Sequence, residues 1–403
     1  MVKRTVNKCL QTLLVLLSYV VPKDKRLILC GCQDGSFKGN PKYFYLYLQR
    51  NNEEHQSLWV TGDERVFREL YDAGLPVVHK YSPKGFLAIL RAKWLVVEVS
   101  IQDISYATWI CNSIGRFNLI QTYHGTPLKC IGEDARGEQE RVGTKIKRFL
   151  RDLPFVSEVF LDPEAKVRFI CTASQEVSRS FESAFPHREI KITGYPRNDI
   201  FFDKQLAFNN YKKILDLGSY NKVIAYVPTW RDVEGGPRPF SEEFLVKLND
   251  FLIENNYIFL LKKHVLAKDI PTLTHVTNIK NVSEEVTDIQ ELLIYTDVLI
   301  TDYSSVFFDF VLTNKPIIFY PYDYEFYIKH CRGMYYSYFN ELLGPFAGNG
   351  EELLKVVENV DEWFNVSEYK EKYKVFKNRF NLCQDKNSSE RLYSEIKKLS
   401  VRN

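Results

Sequence analysis

Residues 26–48 read RLILCGCQDGSFKGNPKYFYLYL: an apolar run from Arg26 to Cys30, a loop punctuated by Gly31, Gly35, Gly39 and Pro41, and a helical segment from Lys42 to Leu48. A strand that feeds a glycine loop and then a helix is the repeating unit of an open α/β sheet. Leu58–Thr61, Val77–His79, Trp94–Val97 and Leu119–Tyr123 continue as short apolar runs separated by helix-length stretches. That alternation predicts a parallel sheet with helical crossovers.

Between Phe201 and Lys222 the pattern weakens, with Asn209, Asn210, Gly218 and Asn221 marking loops. It then restarts: strands at Val223–Val227, Tyr257–Leu261, Val298–Thr301 and Ile317–Tyr320, with helices from Asp288 and from Ser305. A chain of 403 residues is long enough for two or three domains at ~100 to 200 residues each. We divide it into an N-terminal amphipathic helix (1–25), a first α/β domain (26–205) and a second with C-terminal helices (206–403). Two open, doubly wound parallel-sheet domains face one another across a cleft lined by loops at the carboxyl ends of both sheets.

Composition narrows the classes. Apolar residues make up 45% and charged residues 26%, the balance of a folded globular chain rather than a disordered, collagenous or multi-span membrane one. A net charge of +3 gives no case for nucleic acid as partner. The 8 cysteines are scattered without a CxxC pair, so neither a zinc framework nor a disulfide scaffold is indicated, and reduced thiols are expected.

Two stretches concern membranes. Cys9–Val21 is nearly uncharged but, at thirteen residues, too short to cross a bilayer as a helix, and Val20-Val21-Pro22-Lys23 offers no small-residue cleavage site. Leu10, Leu13, Leu14 and Leu17 lie at helical spacing, and six Lys or Arg against one acid give Met1–Arg26 a local balance of +5. Arg141–Arg151 is a second basic amphipathic stretch, with five cations and an apolar strip of Ile146, Phe149 and Leu150. Both suit an anionic membrane surface, and both suit plain docking on the protein.

Three sets of residues could carry chemistry. Asp297–Phe310 holds a buried strand running into Thr301, Asp302, Ser304 and Ser305, then Asp309 one turn into a helix. Hydroxyls and free amides at a helix start suit a phosphate, and Asp309 could accept ribose hydroxyls; capping of the helix by Asp302, Ser304 and Ser305 satisfies the same pattern. His124-Gly125-Thr126-Pro127-Leu128-Lys129 ends a strand of the first domain. An imidazole there can take a proton from a hydroxyl near neutral pH, or simply cap the strand end. Pro127 suits the first position of a following helix, whose amides could face an anion. Around the same cleft stand Arg197 with Asp199, Arg231 with Asp232, and Lys262-Lys263-His264, as phosphate ligands or ordinary surface pairs. The loop Glu234–Pro239 is either a flap or a turn.

The chain has no GxxxxGK[ST] phosphate loop, HExxH, GxSxG elbow or Asp-x-Asp pair. A transferase acting on a nucleotide-activated substrate remains, with no cofactor and no metal ligand assigned, cations and helix ends facing the transferring charge.

These motifs, in this order, resemble the CDP-glycerol glycerophosphotransferases of teichoic-acid and related capsule synthesis. The residues that carry the resemblance are His124–Lys129, Gly194–Asp199, Pro228–Asp232, Thr301–Val306, Asp309-Phe310 and Asn314–Pro316, with Tyr320–Asp323 and Arg332-Gly333 beyond them. The resemblance implies a glycosyltransferase-B-like fold, with the acceptor on the first domain and CDP-glycerol, or a similar CDP-alditol, on the second. It implies two catalytic histidines, His124 as general base activating the acceptor hydroxyl and His264 stabilising the pyrophosphate and the departing CMP, with Arg231, Lys262, Thr301, Asp302, Ser304, Ser305 and Asp309 on the donor. Gly125, Thr126, Lys129, Arg197 and Asp199 would hold phosphate or acceptor. Where the family often shows Arg-Pro-His, Lys262-Lys263-His264 keeps the charge and loses the proline. The implied acceptor is an undecaprenyl-diphosphate-linked saccharide or growing polymer, reached peripherally at the cytoplasmic face of the membrane. Two rivals share the architecture: a nucleotide-sugar glycosyltransferase or epimerase, and a two-lobed binding protein without catalysis.

Overall fold

The computed structural model describes residues 20–51, 54–104, 117–135, 167–229, 237–262, 276–330 and 333–401. The first domain is a seven-stranded sheet of β1 (Asp24–Gly31), β2 (Gln56–Thr61), β3 (Val77–His79), β4 (Ala92–Val97), β5 (Asn118–Gln121), β6 (Val167–Thr172) and β7 (Ile190–Ile192). Its order is β3-β2-β1-β4-β5-β6-β7, every neighbouring pair parallel. The second holds β8 (Lys222–Tyr226), β9 (Tyr257–Leu261), β10 (Ile279–Asn281), β11 (Val298–Thr301) and β12 (Ile317–Phe319), in the order β10-β9-β8-β11-β12, again all parallel. This is the expected pair of open, doubly wound sheets, and each reverses its strand order once, between β1 and β4 and between β8 and β11. Ligands of such sheets sit outside the carboxyl ends at that reversal.

The central strands β5 and β11 are buried along their whole length, as strands covered on both faces must be. Three strands beyond the sequence reading, β6, β7 and β10, complete the sheets; β7 and β10 are three-residue edge strands that each carry a lysine, and so show little apolar signal.

Helix α1 (Gly39–Asn51) follows the glycine loop and is buried over most of its length, including Lys42 and Tyr43. The second half contributes α2 (Ile289–Leu293), capped by Asp288, and α3 (Val306–Phe310). The chain ends in α4 (Ser367–Phe380) and α5 (Ser388–Val401). Sequence placed α5 with the second sheet; instead it returns to the first. Leu392, Tyr393 and Ile396 join the core of Ile28, Trp59, Trp94 and Phe169, and His55 Nδ1 lies 2.9 Å from the Tyr393 hydroxyl. Asp199 anchors the crossing by accepting the backbone N–H groups of Ser388 and Ser389, both at 2.9 Å.

The domains are joined by a buried polar seam. Lys42 Nζ lies 2.8 Å from Asp288 Oδ2 and 2.6 Å from Glu291 Oε1, and the Tyr43 hydroxyl donates to Asp288 at 3.0 Å. Burial alone would lower the Lys42 pKa, but the two carboxylates outweigh it and hold the ammonium above its ordinary value. Nearby, Arg197 pairs with Asp309, which also accepts from Asn198 (3.1 Å) and Gln290 (3.0 Å).

Candidate active site

The carboxyl ends of the two sheets face a cleft of about 530 Å³. From the first domain come Lys38 and Gly39 of the glycine loop, Glu98 after β4, and His124 with Lys129 after β5. From the second come Thr229 after β8, Lys262 after β9, and Ser304 and Ser305 after β11, with Arg197 and Asp309 at the junction. Seven of the residues singled out from sequence, His124, Lys129, Arg197, Lys262, Ser304, Ser305 and Asp309, thus line one cleft. Arg231 and His264 lie outside the described residues.

His124 is exposed to this cleft. Tyr123 before it takes a left-handed backbone (φ 55°), and the imidazole lies against the Tyr123 ring, centroids 4.3 Å apart. Tyr123 is itself wedged on Phe181 and Phe185. Asn40, which sequence reasoning missed, ties this turn down: its amide donates to the carbonyls of Thr122 (3.2 Å) and Tyr123 (2.7 Å), while its Oδ1 accepts the Arg197 N–H at 3.1 Å. Gly125 has φ 107° and a Cβ there would collide with the Arg197 guanidinium, so only glycine fits. Thr126 is fully buried beneath the turn.

No helix starts at Pro127, contrary to expectation. Leu128–Cys130 instead pairs with residues 333–335, Tyr335 N–H donating to Leu128 O (2.9 Å) and Cys130 N–H to Gly333 O (2.6 Å) around a Lys129–Met334 bridge. The backbone groups are taken by a distant segment, which ties the histidine loop to the second half of the chain.

On the facing wall, Asp302 does not cap α3. It is buried, and its Oδ1 accepts the N–H groups of Thr229 (2.7 Å) and Tyr303 (2.6 Å). Thr301 donates its hydroxyl to Val227 O at 2.7 Å. These two residues therefore fix the shape of the β8 and β11 loops from behind. Ser304 and Ser305 remain half-buried in the cleft, and among the described residues neither hydroxyl has a hydrogen-bond partner.

The cations differ in their ties. Arg197 is held by Asp309, yet its buried Nε has no partner among the described residues. Lys262 Nζ donates to Ser283 O (2.9 Å), and its pKa is pushed down to about 8 by burial, with the Lys38 charge adding to the effect. Lys38 and Glu98 were not singled out from sequence; the only signal was their place beside the glycine loop and at a strand end. Asp199 is committed to α5 and does not reach the cleft lining. Among the described residues no cluster of three or more His, Cys, Asp or Glu is placed to hold a metal ion.

Residues 13–398 match the family model of CDP-glycerol:poly(glycerophosphate) glycerophosphotransferases. The teichoic acid glycerol-phosphate transferase of Staphylococcus aureus (strain NCTC 8325 / PS 47) is 32% identical over 410 residues, spanning 98% of this chain and 100% of that relative. Among solved structures, the wall teichoic acid polymerase TagF superposes with a TM-score of 0.78 at 26% identity, covering 100% of this chain and 95% of that one. A TagF variant soaked with CDPG superposes with a TM-score of 0.76 at 25% identity, covering 100% and 96%.

Proposed function

Because the chain belongs to the CDP-glycerol:poly(glycerophosphate) glycerophosphotransferase family, we propose that His124 acts as general base in glycerol phosphate transfer from CDP-glycerol to a lipid-linked saccharide or growing teichoic-acid polymer. The observation that supports this is the cleft itself: an exposed imidazole on one wall faces a second wall carrying a lysine and two serine hydroxyls that have no hydrogen-bond partner among the described residues.

In this reading the acceptor hydroxyl oxygen attacks the phosphorus that bears glycerol, and His124 takes its proton. The bond from that phosphorus to the bridging oxygen breaks, CMP leaves with the electron pair, and a phosphodiester joins glycerol to the acceptor. Ser304, Ser305, Lys262 and Arg197 hold the phosphate oxygens, and Arg231 and His264, outside the described residues, would add to them. Catalysis comes from alignment and from fixed charge facing the transferring group. The nucleotide-sugar reading needs the same serines but gives the family match no role.

Mass analysis of products from the purified chain, CDP-glycerol and a lipid-linked disaccharide tests the reading: added glycerol phosphate and free CMP are expected. His124→Ala should lower turnover by ~100-fold to 10,000-fold while leaving CDP-glycerol bound. A variant with near-parental turnover would overturn the base assignment.

We also place the chain peripherally at the cytoplasmic face of the membrane, where a lipid-linked acceptor would lie. No helix among the described residues is long and apolar enough to cross a membrane. Of the two basic stretches behind this idea, 141–151 and residues 1–19 of Met1–Arg26 lie outside the described residues, while Lys25 and Arg26, expected at the end of an N-terminal helix and just after it, belong to strand β1. Flotation with anionic against neutral vesicles at low salt tests it, and equal recovery from both would remove the idea.

A further inference from the structure

Glu98 is a buried acid of the cleft to which the reaction above gives no task. It stands just past β4, where the first sheet reverses its strand order, and is only 7% exposed. Its backbone is held rigidly: Asp103 Oδ2 accepts the N–H groups of Glu98 and Val99, both at 2.9 Å. Its Oε2 accepts from the Cys32 thiol at 2.9 Å, and a Cβ on Gly39, which has φ 71°, would come within 2.5 Å of Oε1. Among the described residues no Lys, Arg or His lies within ion-pair distance of this carboxyl. Burial raises its pKa, against the opposing influence of Cys32, Arg197 and Lys38.

A thiol is a weak donor and leaves most of the carboxyl's lone-pair sites open. A buried carboxyl in that state is costly unless something in the cleft hydrogen-bonds to it. Lys38, on the adjoining glycine loop, also lines the cleft and has no carboxylate partner among the described residues. It lies near enough to influence both Glu98 behind it and Lys262 on the facing wall. The first-domain wall thus offers an acceptor of hydroxyl hydrogens next to a cation for a phosphate oxygen.

We infer that Glu98 and Lys38 form a subsite for a polyol phosphate end of the acceptor. Glu98 accepts a hydrogen bond from a polyol hydroxyl, and Lys38 neutralises the phosphate that links this polyol to the rest of the molecule. This rests on the reading that the first domain carries the acceptor. Its test does not need turnover: glycerol 3-phosphate is titrated calorimetrically into the parent, Glu98→Gln and Lys38→Met chains. Both variants should bind it about tenfold more weakly, as expected for losing one charge-assisted hydrogen bond. Their affinity for CDP-glycerol and their melting temperatures should stay near parental. In transfer assays the acceptor KM should rise while kcat changes little.

Parental affinity for glycerol 3-phosphate in Glu98→Gln, or no binding by the parent, overturns the subsite. So does equal loss of donor and polyol phosphate binding with a lowered melting temperature, which would make Glu98 a structural residue only. If the parent releases no CMP from CDP-glycerol, the transferase reading fails, and the titration still judges the subsite.

Discussion

The interdomain seam and the cleft beside it are both rich in buried polar groups, yet they differ in how fully those groups are satisfied. In the seam, Glu291 accepts from Lys42, from the N–H groups of Phe208 (2.6 Å) and Asn209 (3.2 Å), and from the Asn209 amide (3.1 Å). Asp288 likewise serves Lys42, Tyr43 and the N–H of Gln290. In the cleft, Ser304 and Ser305 have no hydrogen-bond partner among the described residues, and Glu98 has only a thiol. Native interiors rarely leave buried groups unpaired, so the saturated network reads as a fastener, whereas the half-buried serines and Glu98 keep hydrogen-bonding capacity open toward the cleft.

Breaking the fastener should have the largest effect on stability. Lys42→Ala leaves two carboxylates buried without their cation, which costs about 3 to 5 kcal/mol. Urea denaturation should show it, and a midpoint equal to the parent's would mean the seam is not what holds the domains. The cleft should behave in the opposite way. Replacing Ser304 and Ser305 together by alanine should change stability by no more than about 0.5 kcal/mol, because neither hydroxyl has a hydrogen-bond partner among the described residues. CDP-glycerol binding should nevertheless weaken about tenfold, roughly 1.4 kcal/mol. Unchanged affinity would take the serines out of the donor site.

The smallest effect concerns protons. An ordinary lysine stays cationic to about pH 10, whereas Lys262 is pushed down to about 8. Its charge is full below that value and is lost above it, so donor affinity should fall as pH rises from about 7 to about 9. Lys262→Met should flatten that profile, and a profile of unchanged shape would mean another group titrates there.

Much of this was legible in the residues. β9 and β11 fall where the apolar runs put them, and the runs behind β1, β2 and β4 are extended by only a few residues. His124 and Ser304 could be placed at strand ends, and strand ends of parallel sheets face one cleft. Other features escaped. Pro127 looks like a helix start, but its neighbours pair with residues 333–335. Asp302 looks like a cap, but it serves Thr229 on the next strand's loop. Lys42 looks like a solvated helix residue, yet it is fully buried against an acid 246 positions away.

Local sequence therefore determined the strand, loop and helix units, because apolar period and turn chemistry act over a few residues. Tertiary structure alone decided which polar groups are satisfied and which face the cleft with few or no partners among the described residues. Glu98 and Glu291 are both buried acids, and nothing in the residues beside them says that one is saturated and the other nearly bare. A hydrogen bond between distant segments depends on where the folded chain brings them, not on the residues that flank either one.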